Sequence, residues 1–144
     1  MPGFLPDTSC IVAAVCAWHE HHARAAGEIE RRLRRGEKMI VAAPALVESY
    51  AVLTRLPAPH RLSPADTLEV LEANFLGTAN IVALDGASYR ALLRRAPEEG
   101  IVGGRPYDAV IDACAEKAKA AALLTFNDSH FQPLQSEVEI VVPR

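Results

Sequence analysis

The sequence predicts an α/β fold: one domain over residues 1–144, with a central, mostly parallel sheet of four to five short strands and helices on both faces. Short apolar runs, typical of strands buried on both faces, alternate with longer segments of good helix formers. A chain of 144 residues suffices for one core but not for two ordinary domains. Half of the residues are hydrophobic and 23% are charged, which favours a compact globular protein.

Charge and cysteine content exclude several classes of protein. A net charge of −3 argues against a basic face that coats nucleic acid, although bound metal ions can supply positive charge to an acidic site. The apolar runs fall short of the roughly 20 residues of a membrane span, and the N-terminus lacks the pattern of a signal peptide. Cys10, Cys16 and Cys114 show no C-x-x-C spacing, which favours reduced core cysteines in a cytoplasmic protein.

The first strand is predicted at Phe4 and Leu5, and it ends at Pro6 or Asp7 because proline donates no hydrogen bond to a sheet. A helix begins near Thr8, with Asp7 or Thr8 as its N-cap. Further elements follow from the same alternation of patterns. Strands are predicted at residues 38–42, 81–84, 121–125 and 138–142, and helices at 23–35, 45–55, 64–75, 85–96 and 107–121.

Two motifs in this first part have competing interpretations. Three histidines lie within residues 18–22, but no pair has the i, i+4 spacing of a helical zinc site, so a polar helix start is favoured. The helix at 23–35, with Ala26, Ile29 and Leu33 facing inward, closes on a run of four arginines. That run is either a solvated helix end or a contact for RNA phosphates.

Acidic residues and one asparagine lie at or just past the ends of predicted strands. Asp7 leaves the first strand, Glu48 lies one turn past the second, and Asn127 and Asp128 follow the fourth. The carboxyl ends of parallel strands face one crevice, so these side chains are expected there. Asp108 opens the helix before the fourth strand, which would place it at the opposite edge unless its loop folds over the crevice. Each acid also has a plainer interpretation as a helix cap or first-turn carboxylate.

A stripe of three carboxylates marks the sixth predicted helix. Asp108, Asp112 and Glu116 recur at i, i+4 and i+8, so they lie on one face of that helix. Such a stripe is either a solvated face or part of a site, and local pattern alone leaves both open.

Four blocks of the sequence together resemble the PIN domain and, more closely, the VapC-type toxins of prokaryotic toxin–antitoxin pairs. The blocks are DTS at Asp7-Thr8-Ser9, PALVESYAVLTRLPAPHRLSP around Glu48, GGRPYDAVIDACA around Asp108 and LLTFNDSHF around Asn127. The resemblance covers nearly the whole chain and implies that Asp7, Glu48 and Asp108 form a catalytic, metal-binding cluster. A fourth, more variable acidic position of the family is Asn127 here, with Asp128 beside it. This departure implies one tightly bound ion and leaves open a second ion that binds weakly with the substrate.

The chemistry implied by this resemblance is a metal-dependent endoribonuclease. Mg²⁺, or alternatively Mn²⁺, prefers hard oxygen ligands and keeps several waters, so two or three carboxylates suffice to hold it. Thr8, Ser9, Asp112, Asn127 and Asp128 are expected to support the cluster, and without a cation its carboxylates should repel and raise one another's pKa. The implied partners are an RNA substrate and a cognate antitoxin protein, in a homodimer or a toxin–antitoxin hetero-oligomer, and no membrane.

Other classes fit less well. A haloacid-dehalogenase-type phosphatase would need a second Asp where Ser9 stands. A PIN-like module that binds RNA or a partner without cutting is the alternative that stays open, although the acidic set is intact. For the antitoxin, an apolar groove around Val12, Val15, Trp18 and Ala26 is one expectation, and plain core packing of these residues is the other.

Overall fold

Five short strands lie side by side in the computed structural model, which describes residues 2–144. They are β1 (Gly3–Pro6), β2 (Lys38–Ala42), β3 (Asn80–Val82), β4 (Ala122–Leu124) and β5 (Glu139–Val141). Their order in the sheet is β3-β2-β1-β4-β5, and every neighbouring pair is parallel. This confirms the predicted parallel sheet, and it places the exits of β1, β2 and β4 side by side.

Helices connect the strands, as parallel pairing requires. They are α1 (Thr8–Val15), α2 (His22–Arg34), α3 (Ala43–Thr54), α4 (Pro64–Leu71), α5 (Gly86–Arg95), α6 (Arg105–Lys117) and the short α7 (Asp128–Phe131). The α4 helix passes into a π-helical turn at Glu72–Leu76, and α7 passes into a 3₁₀ turn at Gln132–Leu134. Among the helices that residues 2–144 form, none is long and apolar enough to cross a membrane.

The bounds of α6 differ from the prediction at both ends. The helix begins at Arg105 and takes Pro106 into its first turn, where the missing N–H of proline costs no hydrogen bond. It ends at Lys117 rather than at residue 121, because Lys119 turns the chain with a left-handed φ of 55°. Residues 118–121 then lead into β4. The first turn of α6 lies beside His130, past the end of β4, so α6 runs antiparallel to β4.

The core is built on the central strand β1, whose Phe4 and Leu5 are fully buried. On α2 the inward stripe runs through Ala25 and Ile29. The prediction that Leu33 faces inward is wrong, since it is 46% exposed. It lines an open groove together with Ile29 and Met39 instead of being enclosed.

The four arginines at the end of α2 are paired with carboxylates of their own neighbourhood. Arg32 joins Glu28 at 2.8 Å and Glu37 at 2.9 Å, and Arg34 joins Glu30 at 2.6 Å. Arg31 and Arg35 pair with the same Glu28 and Glu37. This arrangement favours the solvated helix end over a phosphate contact.

The residues suggested for antitoxin docking divide between core and surface. Val12 is buried, Val15 and Ala26 are half-buried, and Trp18 is 48% exposed. Core packing therefore accounts for Val12, and Trp18 alone of the four is freely presented to solvent.

Candidate active site

Asp7 occupies the junction of β1 and α1 and is only 2% exposed. Its backbone N–H donates to the Leu124 carbonyl oxygen at 2.9 Å, which extends the pairing of β1 with β4 by one residue. Its side chain caps α1 by accepting a hydrogen bond from the backbone N–H of Cys10 at 3.0 Å. Asp7 is thus the N-cap of α1 and also lies at the carboxyl end of the sheet.

Two hydroxyl groups also hold the Asp7 carboxylate. Ser9 Oγ donates to Oδ1 at 2.6 Å and Thr125 Oγ1 donates to Oδ2 at 2.6 Å. A carboxylate offers about four lone-pair sites, so three hydrogen bonds leave it one further acceptor position. The pKa of Asp7 is raised to about 6. Burial is the main cause and the charge of Asp108 adds to it, while the three hydrogen bonds act in the opposite direction.

Asp108 lies in the first turn of α6 at the same edge of the sheet. The expectation that it would start at the opposite edge is wrong, because α6 runs antiparallel to β4 and so begins where β4 ends. Its Oδ2 is 3.0 Å from Nδ1 of His130, a residue of α7 just past the exit of β4. Burial raises the pKa of Asp108, the His130 contact lowers it, and the charge of Glu48 raises it again.

Glu48 lies in α3, which begins where β2 ends, and its side chain is half-buried. The three carboxylates are coupled in pairs, Asp7 with Asp108 and Asp108 with Glu48. Within residues 2–144, no three His, Cys, Asp or Glu side chains are drawn together closely enough to hold one ion. The neighbouring carboxylate raises the pKa of Asp7 and of Asp108, as expected, although burial is the larger cause in both.

Asp112 lies one turn after Asp108 and is 6% exposed. It accepts a hydrogen bond from Ser136 Oγ at 2.8 Å. The pKa of Asp112 is raised to about 6. Burial is the main cause and the charge of Glu116 adds to it, while the Ser136 hydrogen bond acts in the opposite direction. The contact with Ser136 ties α6 to the segment before β5.

The other predicted supporting residues, Thr8, Ser9, Asn127 and Asp128, differ in how deeply they are buried. Ser9 Oγ bridges two segments, since it donates to Asp7 and accepts from the backbone N–H of Phe126 at 3.1 Å. Among the described residues, the buried Thr8 Oγ1 has no hydrogen-bond partner. Asn127 and Asp128 are exposed at the start of α7, and the backbone N–H of Asn127 donates to Thr125 Oγ1 at 2.8 Å.

Three residues of this neighbourhood escaped the reasoning from sequence. Thr125 was counted as the end of a buried strand, although its hydroxyl holds Asp7. His130 and Ser136, the partners of Asp108 and Asp112, lie in segments without a regular pattern. A polar residue ending an apolar strand was the available signal for Thr125. No local signal pointed to the other two.

A comparison with known families identifies the class of protein. The model of the PIN domain matches residues 4–134, which is most of the chain. The chain therefore belongs to the PIN-domain family, as the sequence blocks around Asp7, Glu48 and Asp108 predicted.

A curated relative narrows the class further. Ribonuclease VapC40 of Mycobacterium tuberculosis is 42% identical over 139 residues, covering 94% of this chain and 97% of the relative. The predicted resemblance to VapC-type proteins is confirmed.

Solved structures agree on the fold. VapBC2 from Rickettsia felis, described as bound to a DNA fragment from its promoter, superposes with a TM-score of 0.70 at 16% identity, covering 99% of each chain. VapC20 of Mycobacterium tuberculosis, described as a sarcin–ricin loop cleaving toxin, gives 0.69 at 14% identity, covering 94% of this chain and 98% of that one. At such identities the likeness concerns the fold alone.

Proposed function

We propose that this protein is a metal-dependent endoribonuclease toxin that cuts phosphodiester bonds of cellular RNA and is neutralised by a cognate antitoxin. The observation that carries the proposal is the placement of Asp7, Glu48 and Asp108, from three elements, at the edge of the sheet where β1, β2 and β4 end. The 42% identity to a protein named Ribonuclease VapC40 supports the same activity. Buried or half-buried acids whose pKa values are raised are uncommon outside functional sites.

The donor set fits a hard divalent cation. Asp7, Glu48 and Asp108 offer carboxylate oxygens, which suit Mg²⁺ or Mn²⁺ better than softer metals. Asp7 keeps an acceptor position after its three hydrogen bonds, and the unpartnered Thr8 Oγ1 lies next to it in the chain. When bound, Mg²⁺ or Mn²⁺ would polarise the scissile phosphodiester and lower the pKa of a coordinated water.

The residues of this chain have separable tasks in the proposal. In the proposal Asp7, Glu48 and Asp108 hold the cation together, which requires their carboxylates to draw closer to one another than they lie in this structure. Ser9 and Thr125 fix the orientation of the Asp7 carboxylate through their hydroxyl groups. Thr8, Asp112, Asn127 and Asp128 play supporting parts. Asp112 acts by fixing α6 against Ser136, and the neutral Asn127 favours a single tightly held ion.

The proposal includes the setting in which the toxin works. We assign it to the cytoplasm, where free thiols such as those of Cys10, Cys16 and Cys114 remain reduced. Its partners are an RNA substrate and an antitoxin protein, in a homodimer or a toxin–antitoxin hetero-oligomer. Two proteins of the same fold were solved as VapBC complexes, which is in keeping with such a partner.

The test is cleavage of a panel of tRNA, rRNA and mRNA by purified protein, with Mg²⁺ and with EDTA. We expect endonucleolytic fragments with Mg²⁺ only, and none from Asp108→Asn. A protein that binds the RNA but never cuts it would instead be the non-catalytic PIN-like module. Expression beside the antitoxin should abolish cleavage.

A further inference from the structure

A row of five rings leads away from the candidate active site. The rings belong to three distant segments: Trp18, His19 and His21 between α1 and α2, His60 between α3 and α4, and Phe126 after β4. Phe126 stacks on His21 with ring centroids 4.4 Å apart, and His60 stacks on Trp18 at 4.1 Å. His19 joins the two pairs, at 5.6 Å from His21 and 5.8 Å from Trp18.

The outer end of this row faces solvent. Trp18 is 48% exposed and His60 is also exposed, whereas rings that serve a core are buried. Stacking of exposed rings from two separate loops holds their flat faces in one orientation before any ligand arrives. A flat, exposed and pre-oriented ring suits another flat ring, such as a nucleobase.

The inner end of the row touches the acidic cluster. The backbone N–H of Phe126 donates to Ser9 Oγ at 3.1 Å, and Ser9 Oγ donates to Asp7 Oδ1 at 2.6 Å. Two hydrogen bonds therefore link the backbone of Phe126 to the buried carboxylate. A strand whose bases lie along the row would pass its backbone close to Asp7.

Cations accompany the row. The Arg24 guanidinium lies 5.4 Å from the centre of the Phe126 ring and is hydrogen bonded to His21. Arg61, which is exposed, follows His60 directly. Glu20 lies 3.5 Å from His21 and offsets part of this charge. Arginines beside stacked rings are the combination that binds single strands, because they neutralise phosphates while the rings receive bases.

We infer that this row is the binding surface for unpaired bases of the RNA strand that is cut, with Trp18 and His60 as its outer platform. The inference rests on the proposed ribonuclease function, and it specifies a single-stranded substrate. A duplex keeps its bases stacked on one another and offers none to the rings. Because stacking tolerates every base, the row sets strandedness and register rather than sequence.

The test uses Trp18 as its own reporter, since the chain has a single tryptophan. A short oligoadenylate RNA is titrated in EDTA, so that binding is read without cleavage, and tryptophan emission is followed. We expect quenching by the single strand and none by the same sequence in a duplex. Anisotropy of labelled RNA then compares Trp18→Ala, Trp18→Phe and Leu33→Ala, the last an apolar residue of matched exposure in the final turn of α2.

Trp18→Ala should bind the single strand roughly 5- to 30-fold more weakly, which is about 1–2 kcal/mol at 1.4 kcal/mol per tenfold. Trp18→Phe should retain most of the affinity and Leu33→Ala all of it. In cleavage assays with Mg²⁺, Trp18→Ala should raise KM and leave kcat nearly unchanged. Thermal melts of all variants separate loss of binding from loss of fold.

The outcomes separate this inference from the proposed function. If the single strand quenches tryptophan emission but the protein cuts no RNA, the binding surface is supported and the proposed nuclease activity is refuted. If the protein cleaves RNA, but its Trp18 emission does not change on adding RNA and the Trp18→Ala variant has a normal KM, the inference is refuted and the proposed function is not. A Trp18→Ala variant that loses the antitoxin but binds RNA normally would also overturn it and make the surface a protein contact.

Discussion

Replacing Asp7 by asparagine should stabilise the metal-free protein at neutral pH. The wild-type carboxylate is 2% exposed, and burial raises its pKa from 3.8 to about 6. A buried acid with a raised pKa binds its proton more tightly in the folded state than in the unfolded state. Its contribution to stability is therefore complete below pH 3.8 and is lost as the pH rises through about 6.

The size of the effect follows from the shift. A change of about two pKa units corresponds to roughly 3 kcal/mol of stability lost by wild type between low and neutral pH. Asparagine keeps an oxygen for Cys10 and Ser9 but presents an amide to Thr125, whose hydroxyl must turn to accept, at a cost of about 1 kcal/mol. The net gain at pH 8 is therefore about 1–2 kcal/mol.

The assay is thermal unfolding of wild type and Asp7→Asn in EDTA across the range from pH 4 to pH 8. At pH 8 the variant should melt about 2–8 °C higher, and most of that lead should vanish toward pH 4. Asp7→Glu, which keeps the charge but crowds the pocket, is the matched control and should show no gain. If Asp7→Asn melts well below metal-free wild type at pH 8, Asp7 is a structural helix cap and its assignment to a metal site fails.

Three further predictions concern the rest of the cluster. Excess Mg²⁺ should stabilise wild type by about 2.7 kcal/mol at a hundredfold excess over Kd and should hardly move the melting of Asp7→Asn, as calorimetry would reveal. Glu48→Gln should abolish cleavage and lower the pKa of Asp108, because the Glu48 charge raises it; carboxyl NMR titration checks this, and an unchanged Asp108 pKa would contradict the coupling. Asp112→Asn should slow cleavage by only about tenfold, against complete loss in Asp108→Asn, and equal losses in both would show that Asp112 is a ligand rather than a support.

The alternation of short apolar runs with helical segments was sufficient to predict the parallel sheet, because the three central strands are buried along nearly their whole length and are therefore apolar. It was less informative about element ends. The early end of α6 depends on the left-handed φ of Lys119. Lysine has no preference for that conformation, so the residue type does not predict it. Leu33 shows a related limit, since helical periodicity gives the face on which it lies but not whether that part of the face is covered.

The acidic residues of the candidate site were visible in the sequence, but their environment was not. Asp7 and Glu48 were placed by the rule that strand exits share one edge, whereas the position of Asp108 needed the direction of α6. Thr125, His130 and the stacked ring of Phe126 meet the site through contacts between segments more than 20 residues apart. Local patterns carry no information about such contacts, so only the fold could bring them into the account.

The most direct test of the account is RNA cleavage by wild type and Asp108→Asn, each with Mg²⁺ and with EDTA, on the same RNA panel. The account predicts defined fragments from wild type with Mg²⁺, none with EDTA and none from the variant under either condition, while the variant remains folded. Cleavage that persists in EDTA, or in folded Asp108→Asn with Mg²⁺, would contradict a metal-dependent nuclease built on these carboxylates.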